Sequence, residues 1–249
     1  MSFLLLFKSM PLPFLSLLLP LAGAGCYALL LIYNRFFAKW TGRALPLPKI
    51  WYKLPFFVLL VADTVLSCLI WSNVSGSYSP LYAFTSSGWS NVLTGESLRN
   101  AQAVLRIDAF GAISAALMSF VALTAGIRAL ADRQNVITPR KVAFLLLTRA
   151  GIQGIFYLNS LMLLFLFMML TQLGVTGLYS NFATKKREGG ESAFYYVSRV
   201  LLLVMFLTGV LILRGKYGTD NINALASLVT PAADTLWAFI FLVVPMLYI

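Results

Sequence analysis

Residues Leu145 to Leu213 read LLLTRAGIQGIFYLNSLMLLFLFMMLTQLGVTGLYSNFATKKREGGESAFYYVSRVLLLVMFLTGVLIL: three apolar runs, one tight polar break and one basic loop. The middle run, Leu161 to Tyr179, can cross a bilayer, because a spanning helix needs about 20 residues at ~1.5 Å rise each. It carries one strong polar side chain, Gln172.

The rest of the chain has the same character. Of its 249 residues 60% are hydrophobic and only 11% charged, and mean hydropathy is +0.85, against roughly 25% charged in a soluble domain. No strict alternation runs over segments of ~10 residues, which argues against a barrel. Inside lipid every backbone polar group must then bond within its own helix. The expected fold is all-α, a polytopic helical membrane bundle forming one transmembrane domain over residues 1–249.

Seven spans are expected, at about 11–33, 54–71, 107–130, 142–157, 161–179, 192–213 and 225–249. Lys8, an apolar core and the small residues Ala22 to Gly25 imitate a signal peptide, but the apolar run continues to Tyr33 and reads as a retained first span. Ser72 to Arg106, rich in Ser, Gly, Tyr and Trp, reads as a loop, and its Asn73-Val74-Ser75 triplet fits a glycosylation acceptor only by composition. Thr138-Pro139 is a helix-start signal. Leu158 to Ser160 is the turn between the fourth and fifth spans, and Pro231 and Pro245 interrupt the last apolar segment.

The net charge of +11 does not read as a nucleic-acid surface, since the cations are scattered between apolar runs without interleaved aromatics. Counted by side of the expected spans, eleven loop cations fall on one side and five on the other. The basic side, with Arg35, Lys39, Arg140, Lys141 and the Lys185-Lys186-Arg187 cluster, is therefore expected to face cytoplasm or matrix. Cys26 and Cys68 are the only cysteines and histidine is absent, so haem ligation, a four-cysteine cluster and a typical zinc site lack their ligands. No cofactor and no catalytic residue are expected.

Ionisable groups inside the spans cost at least ~2.5–3.5 kcal/mol each and need a partner or a water path. The candidates are Asp63, Arg149, Arg199 and Asp234; Arg106, Asp108 and Arg128 lie near span ends. A proton route through Asp63, Arg149 and Arg199 is one reading. Pairing of Asp63 with one arginine is the preferred one, because arginine hardly ever releases its proton.

At the fifth and sixth spans the sequence resembles the antiporter-like subunits of respiratory complex I, a family shared with cation/proton antiporters and membrane-bound hydrogenases. It is most similar to subunit N of bacteria, subunit 2 of mitochondria. The matching residues are the leucine-rich run Leu163 to Leu170, Gln172-Leu173, Leu178-Tyr179, Lys185-Lys186-Arg187 and Glu191-Ser192-Ala193-Phe194-Tyr195-Tyr196-Val197. Leu105 to Gly111 and Tyr217 to Ile222 resemble two further segments in the same order.

The resemblance implies half of an inverted-repeat antiporter-like fold, a unit of about fourteen helices when whole. The chain would be a truncated or split proton-translocating subunit in the membrane arm of an NADH:quinone oxidoreductase. It would be mainly structural and non-catalytic by itself. Partners would be the other membrane-arm subunits, a second chain carrying the missing C-terminal half, and lipids, with no nucleic acid. The mitochondrial inner membrane is favoured and a bacterial cytoplasmic membrane is the alternative. The family's glutamate falls on Gln172 and a family lysine on Tyr195, so both read as relics of a proton path, because glutamine has no ionisable form near neutrality. Interhelical hydrogen bonding is the other reading of Gln172. A small secondary transporter or a membrane assembly factor unrelated to complex I is the rival function.

Overall fold

The computed structural model describes residues 12–41, 49–77, 81–83, 105–131, 138–182, 189–228 and 233–247. These form helices α1 (Leu12–Thr41), α2 (Lys49–Ser77), α3 (Ala109–Ala131), α4 (Pro139–Tyr157), α5 (Leu161–Phe182), α6 (Gly189–Tyr217), α7 (Ile222–Leu228) and α8 (Ala233–Leu247). A short antiparallel ribbon pairs β1 (Leu81–Ala83) with β2 (Leu105–Ile107). Among the described residues the fold is thus a nearly all-helical, polytopic bundle.

Five helices are long and apolar enough to span a bilayer: Leu12–Trp40, Tyr52–Ser75, Ala109–Ala131, Leu161–Leu178 and Tyr196–Tyr217. The other two expected spans differ. α4, the fourth, has 19 residues, about 28 Å of helix, but carries Arg140, Lys141 and Arg149. The last, expected over 225–249, is divided into α7 and the 15-residue α8. Pro231 lies outside the described residues, whereas Pro245 sits within the last turn of α8 rather than ending it.

The loop expected from Ser72 is shorter than read. α2 continues to Ser77 and Val74 is buried, so the Asn73-Val74-Ser75 triplet is helical. The basic cluster 185–187 lies outside the described residues. Thr138 does start α4: its hydroxyl accepts from Lys141 N at 3.3 Å and Pro139 occupies the first turn, where a missing N–H costs no hydrogen bond.

α4 is the central helix. It is buried along Val142, Leu146, Arg149, Ala150, Gln153 and Tyr157, and it packs against α1, α3 and α5. With α5 the approach is backbone to backbone. Ideal Cβ atoms on Gly151 and Gly174 would lie 2.6 Å from Thr171 N and 2.7 Å from Thr148 N, while Gly154 and Gly177 receive the rings of Phe167 and Phe144. Each helix therefore offers two glycines to a threonine and a phenylalanine of the other, the small-residue packing by which helices associate where lipid is as apolar as leucine.

One end of the bundle is tied by polar backbone contacts. Gly218, with φ +70, closes α6 through its N–H to Arg214 O at 2.9 Å, as a left-handed C-cap requires. The next residues reach across to the α4–α5 turn, where Leu161 N donates to Asp220 O and Ile222 N to Asn159 O, both at 2.9 Å. Asn221 Oδ1 caps α7 by accepting from Asn223 N and Ala224 N, and Arg106 of β2 donates to Asn223. Asp108 caps α3 by accepting from Gly111 N at 2.7 Å.

The α4–α5 seam yields a direct test. Gly151→Ala and Gly174→Ala should each lower stability by about 1–3 kcal/mol, because the new methyl meets rigid backbone. Gly215→Ala, whose Cβ meets nothing within 4 Å, should be neutral or slightly stabilising. Thermal unfolding in mild detergent reads the difference, and equal behaviour of the three variants would disprove the seam.

Candidate functional site

Midway along α4, Arg149 points at α2. Its Nε donates to Asp63 Oδ2 at 2.7 Å, with both side chains only 4% and 3% exposed. The terminal nitrogen Nη2 donates to Ala115 O of α3 at 3.2 Å and to the Ser119 hydroxyl. Ser119 in turn donates to Ser67 Oγ and Ala115 O, each at 2.9 Å.

Gln153, one turn beyond Arg149, completes the cluster. With its amide nitrogen turned toward acceptors, Nε2 donates to Asp63 Oδ1 at 3.1 Å and to Ser16 O at 3.0 Å, while Oε1 accepts from Ser16 Oγ and Ser67 Oγ at 3.2 Å. Ser16 O has no ordinary helical partner, because Pro20 stands four residues later inside α1 and lacks an N–H. One glutamine thus satisfies both the carboxylate and the carbonyl that the proline leaves open. Four helices contribute: Ser16 from α1, Asp63 and Ser67 from α2, Ser119 from α3, Arg149 and Gln153 from α4.

The layer is enclosed on both sides. Toward the basic end lie Ala24, Tyr27, Tyr52, Phe56, Leu60, Val142 and Leu146; toward the other lie Leu17, Ile70, Ile107, Ala112, Ala115 and Tyr157. Arg149 Nη1 and the Tyr157 hydroxyl are buried without a partner among the described residues. Removing water strengthens the attraction between the two charges but makes breaking the pair expensive.

The other residues singled out from sequence are elsewhere. Gln172 is buried on α5, and its Oε1 has no hydrogen-bond partner among the described residues. Arg199 is half-buried on α6, which packs mainly against α8 and α5. The Phe165–Phe206 stack sets the antiparallel register of α5 and α6, and seven residues from it in each helix bring Gln172 and Arg199 to one level. Tyr195 and Asp234 belong to α6 and α8, and their side chains lie outside the described residues. Among the described residues no group of three His, Cys, Asp or Glu could hold a metal ion.

Sequence reading missed Ser16, Ser67, Ser119 and Gln153. The signal was present as spacing: Asp63 and Ser67, and likewise Arg149, Gln153 and Tyr157, recur every four residues and so share one helix face.

Arg149→Met should destabilise the protein by about 3–5 kcal/mol, since it strands a buried carboxylate, whereas Asp63→Leu combined with Arg149→Met should regain most of that loss. Thermal unfolding in detergent measures both. Additive losses in the double variant would show that the two residues do not act as a pair.

No protein-family profile matches the chain, and no curated protein matches it. Solved structures do. In the membrane-bound sulfane sulfur reductase, described as an archaeal respiratory membrane complex, a chain matches with a TM-score of 0.67 at 15% identity, over 93% of this chain and 32% of that one. A chain of the Mrp complex from Dietzia sp. DQ12-45-1b matches with a TM-score of 0.66 at 20% identity, over 95% of this chain and 41% of that one. This chain therefore spans about a third to two-fifths of these two chains, and it shares their polytopic helical fold.

Proposed function

We propose that this protein is a subunit of the membrane arm of a complex I-type NADH:quinone oxidoreductase, equivalent to the first half of subunit N or 2. In this reading its work is structural: it completes and seals the arm. The observation that carries the reading is the enclosed polar layer. Its one acid, Asp63, is held by an arginine and a glutamine, and apolar clusters close it on both sides. Proton relay calls for groups that titrate near the working pH and can exchange protons with neighbours; arginine does not release its proton, and Gln172 stands neutral where the resemblance places a glutamate.

The motif order from Leu105 to Ile222 and the likeness in fold to chains of the membrane-bound sulfane sulfur reductase and the Mrp complex support this reading over a free-standing carrier. Both matched chains come from membrane complexes, so other membrane subunits are the expected partners. The mitochondrial inner membrane is the proposed host and a bacterial cytoplasmic membrane the alternative.

Native electrophoresis of host membranes in mild detergent, with mass spectrometry of the band, tests the assignment. The chain should co-migrate with flavin and iron–sulfur subunits. A small band free of partners would overturn the assignment and favour the carrier. Separately, Gln172→Glu in the full chain should produce no proton flux in liposomes, and measurable flux with a pH indicator would refute the structural role.

A further inference from the structure

Along the outside of α1 and α4 runs an apolar groove of about 720 Å³, which the proposed assembly role does not use. Its floor is made by small residues: Ala24, Gly25 and Ala28 on α1 and Ala143 on α4. These recur at three- and four-residue spacing, so they open one continuous trough between the two helices. A Cβ on Gly25 would meet nothing within 4 Å, so the trough is open there.

The groove is apolar for most of its length and cationic at one end. Arg35 of α1 and Arg140 of α4 line that end and are exposed. The Arg140 guanidinium lies 5.7 Å from the centroid of the Phe144 ring, itself part of the wall, which holds the cation at the groove mouth. Among the described residues neither arginine pairs with a carboxylate. This end lies on the basic side of the bundle, and Tyr33, Phe36 and Trp40, at 63%, 71% and 94% exposure, mark the same level. Exposed aromatic rings of this kind sit at the boundary between hydrocarbon and headgroups.

The dimensions agree with that placement. From Arg35 to Leu21 the groove follows fourteen residues of α1, about 21 Å at ~1.5 Å per residue, against about 20–22 Å for one leaflet of a bilayer ~40–45 Å thick with its headgroups.

We infer that this groove is a binding site for an anionic phospholipid of the basic-side leaflet. Its phosphate sits between Arg35 and Arg140, and one acyl chain lies along the Ala24–Gly25–Ala28 floor. Charge complementarity selects the occupant. A transmembrane helix from another subunit would cover the apolar trough but leave the two guanidinium groups at its mouth facing the headgroup layer without an anion. A basic pocket between helices on the cytoplasmic or matrix side is suited to anionic headgroups, each cation near the surface adding about five-fold in affinity.

The test is native mass spectrometry of the delipidated full chain, titrated with phosphatidylglycerol or with phosphatidylcholine of the same acyl composition. Phosphatidylglycerol should be retained about 30-fold more strongly. Arg35→Gln with Arg140→Gln should reduce that preference to near unity. Both side chains are exposed, and an unchanged melting temperature verifies folding. Ala28→Trp should weaken retention of both lipids with the arginines intact, while Arg214→Gln with Lys216→Gln, at the opposite end of the bundle, should leave retention unaltered. Equal retention of the two lipids by the wild-type chain, or an undiminished preference in the Arg35/Arg140 variant, would overturn the site.

Discussion

Burying Arg149 is the condition that the rest of the bundle has to meet. A guanidinium in a water-free core is tolerated only when an acid and additional acceptors surround it, and α4 is enclosed by neighbours on most of its circumference. Asp63 supplies the acid, Ala115 O and two serines the acceptors, and Gln153 saturates the second carboxylate oxygen. Sliding α2 along α4 by one turn, about 5.4 Å, would break the bonds to Asp63, and sliding α3 would break those to Ala115 O and Ser119. The ion pair therefore sets helix register, a role that uniformly apolar surfaces, which slide over one another at little cost, do not fill.

Two kinds of glue divide the molecule. α1 to α4 are held around the polar layer, whereas α5, α6 and α8 meet through an apolar cluster that includes Leu164, Met168, Phe206, Val210, Ala238 and Leu242. The glycine seam joins the groups, and the end layer of Asn159, Asp220 and Asn221 fixes the seam's register by backbone hydrogen bonds. α4 belongs to both systems: one face carries Arg149 and Gln153, and the nearly opposite one Gly151 and Gly154. That double use explains why it is the least apolar of the long helices.

Much of this was legible in the sequence, because hydropathy alone places long helices and Thr138-Pro139 marks the start of α4. The interior polar layer was only half legible. Asp63 and Arg149 stand out against apolar neighbours, but serines inside membrane helices commonly bond back to their own backbone, as Ser75 does to Ser72 O at 3.1 Å, so composition does not reveal which of them point inward together. The β1–β2 ribbon was not legible at all: strands of three residues carry no periodicity. The segments Leu105 to Gly111 and Tyr217 to Ile222, which carry part of the resemblance, turn out to hold caps and cross-chain backbone bonds, so their residues are required by the fold irrespective of any transport.

That last point bears on how a likeness in fold relates to transport. Translocation along a helical bundle needs polar groups that hand protons on, and a hydrogen-bond chain that reaches both surfaces. The residues at the caps, the α4–α5 turn and the glycine seam keep helices in place without supplying either. What remains inside this bundle is an acid clamped by an arginine and, on the other side of the glycine seam, a neutral glutamine whose oxygen has no partner among the described residues. A bundle can hold its geometry without titrating groups, because packing and conduction rest on different side chains.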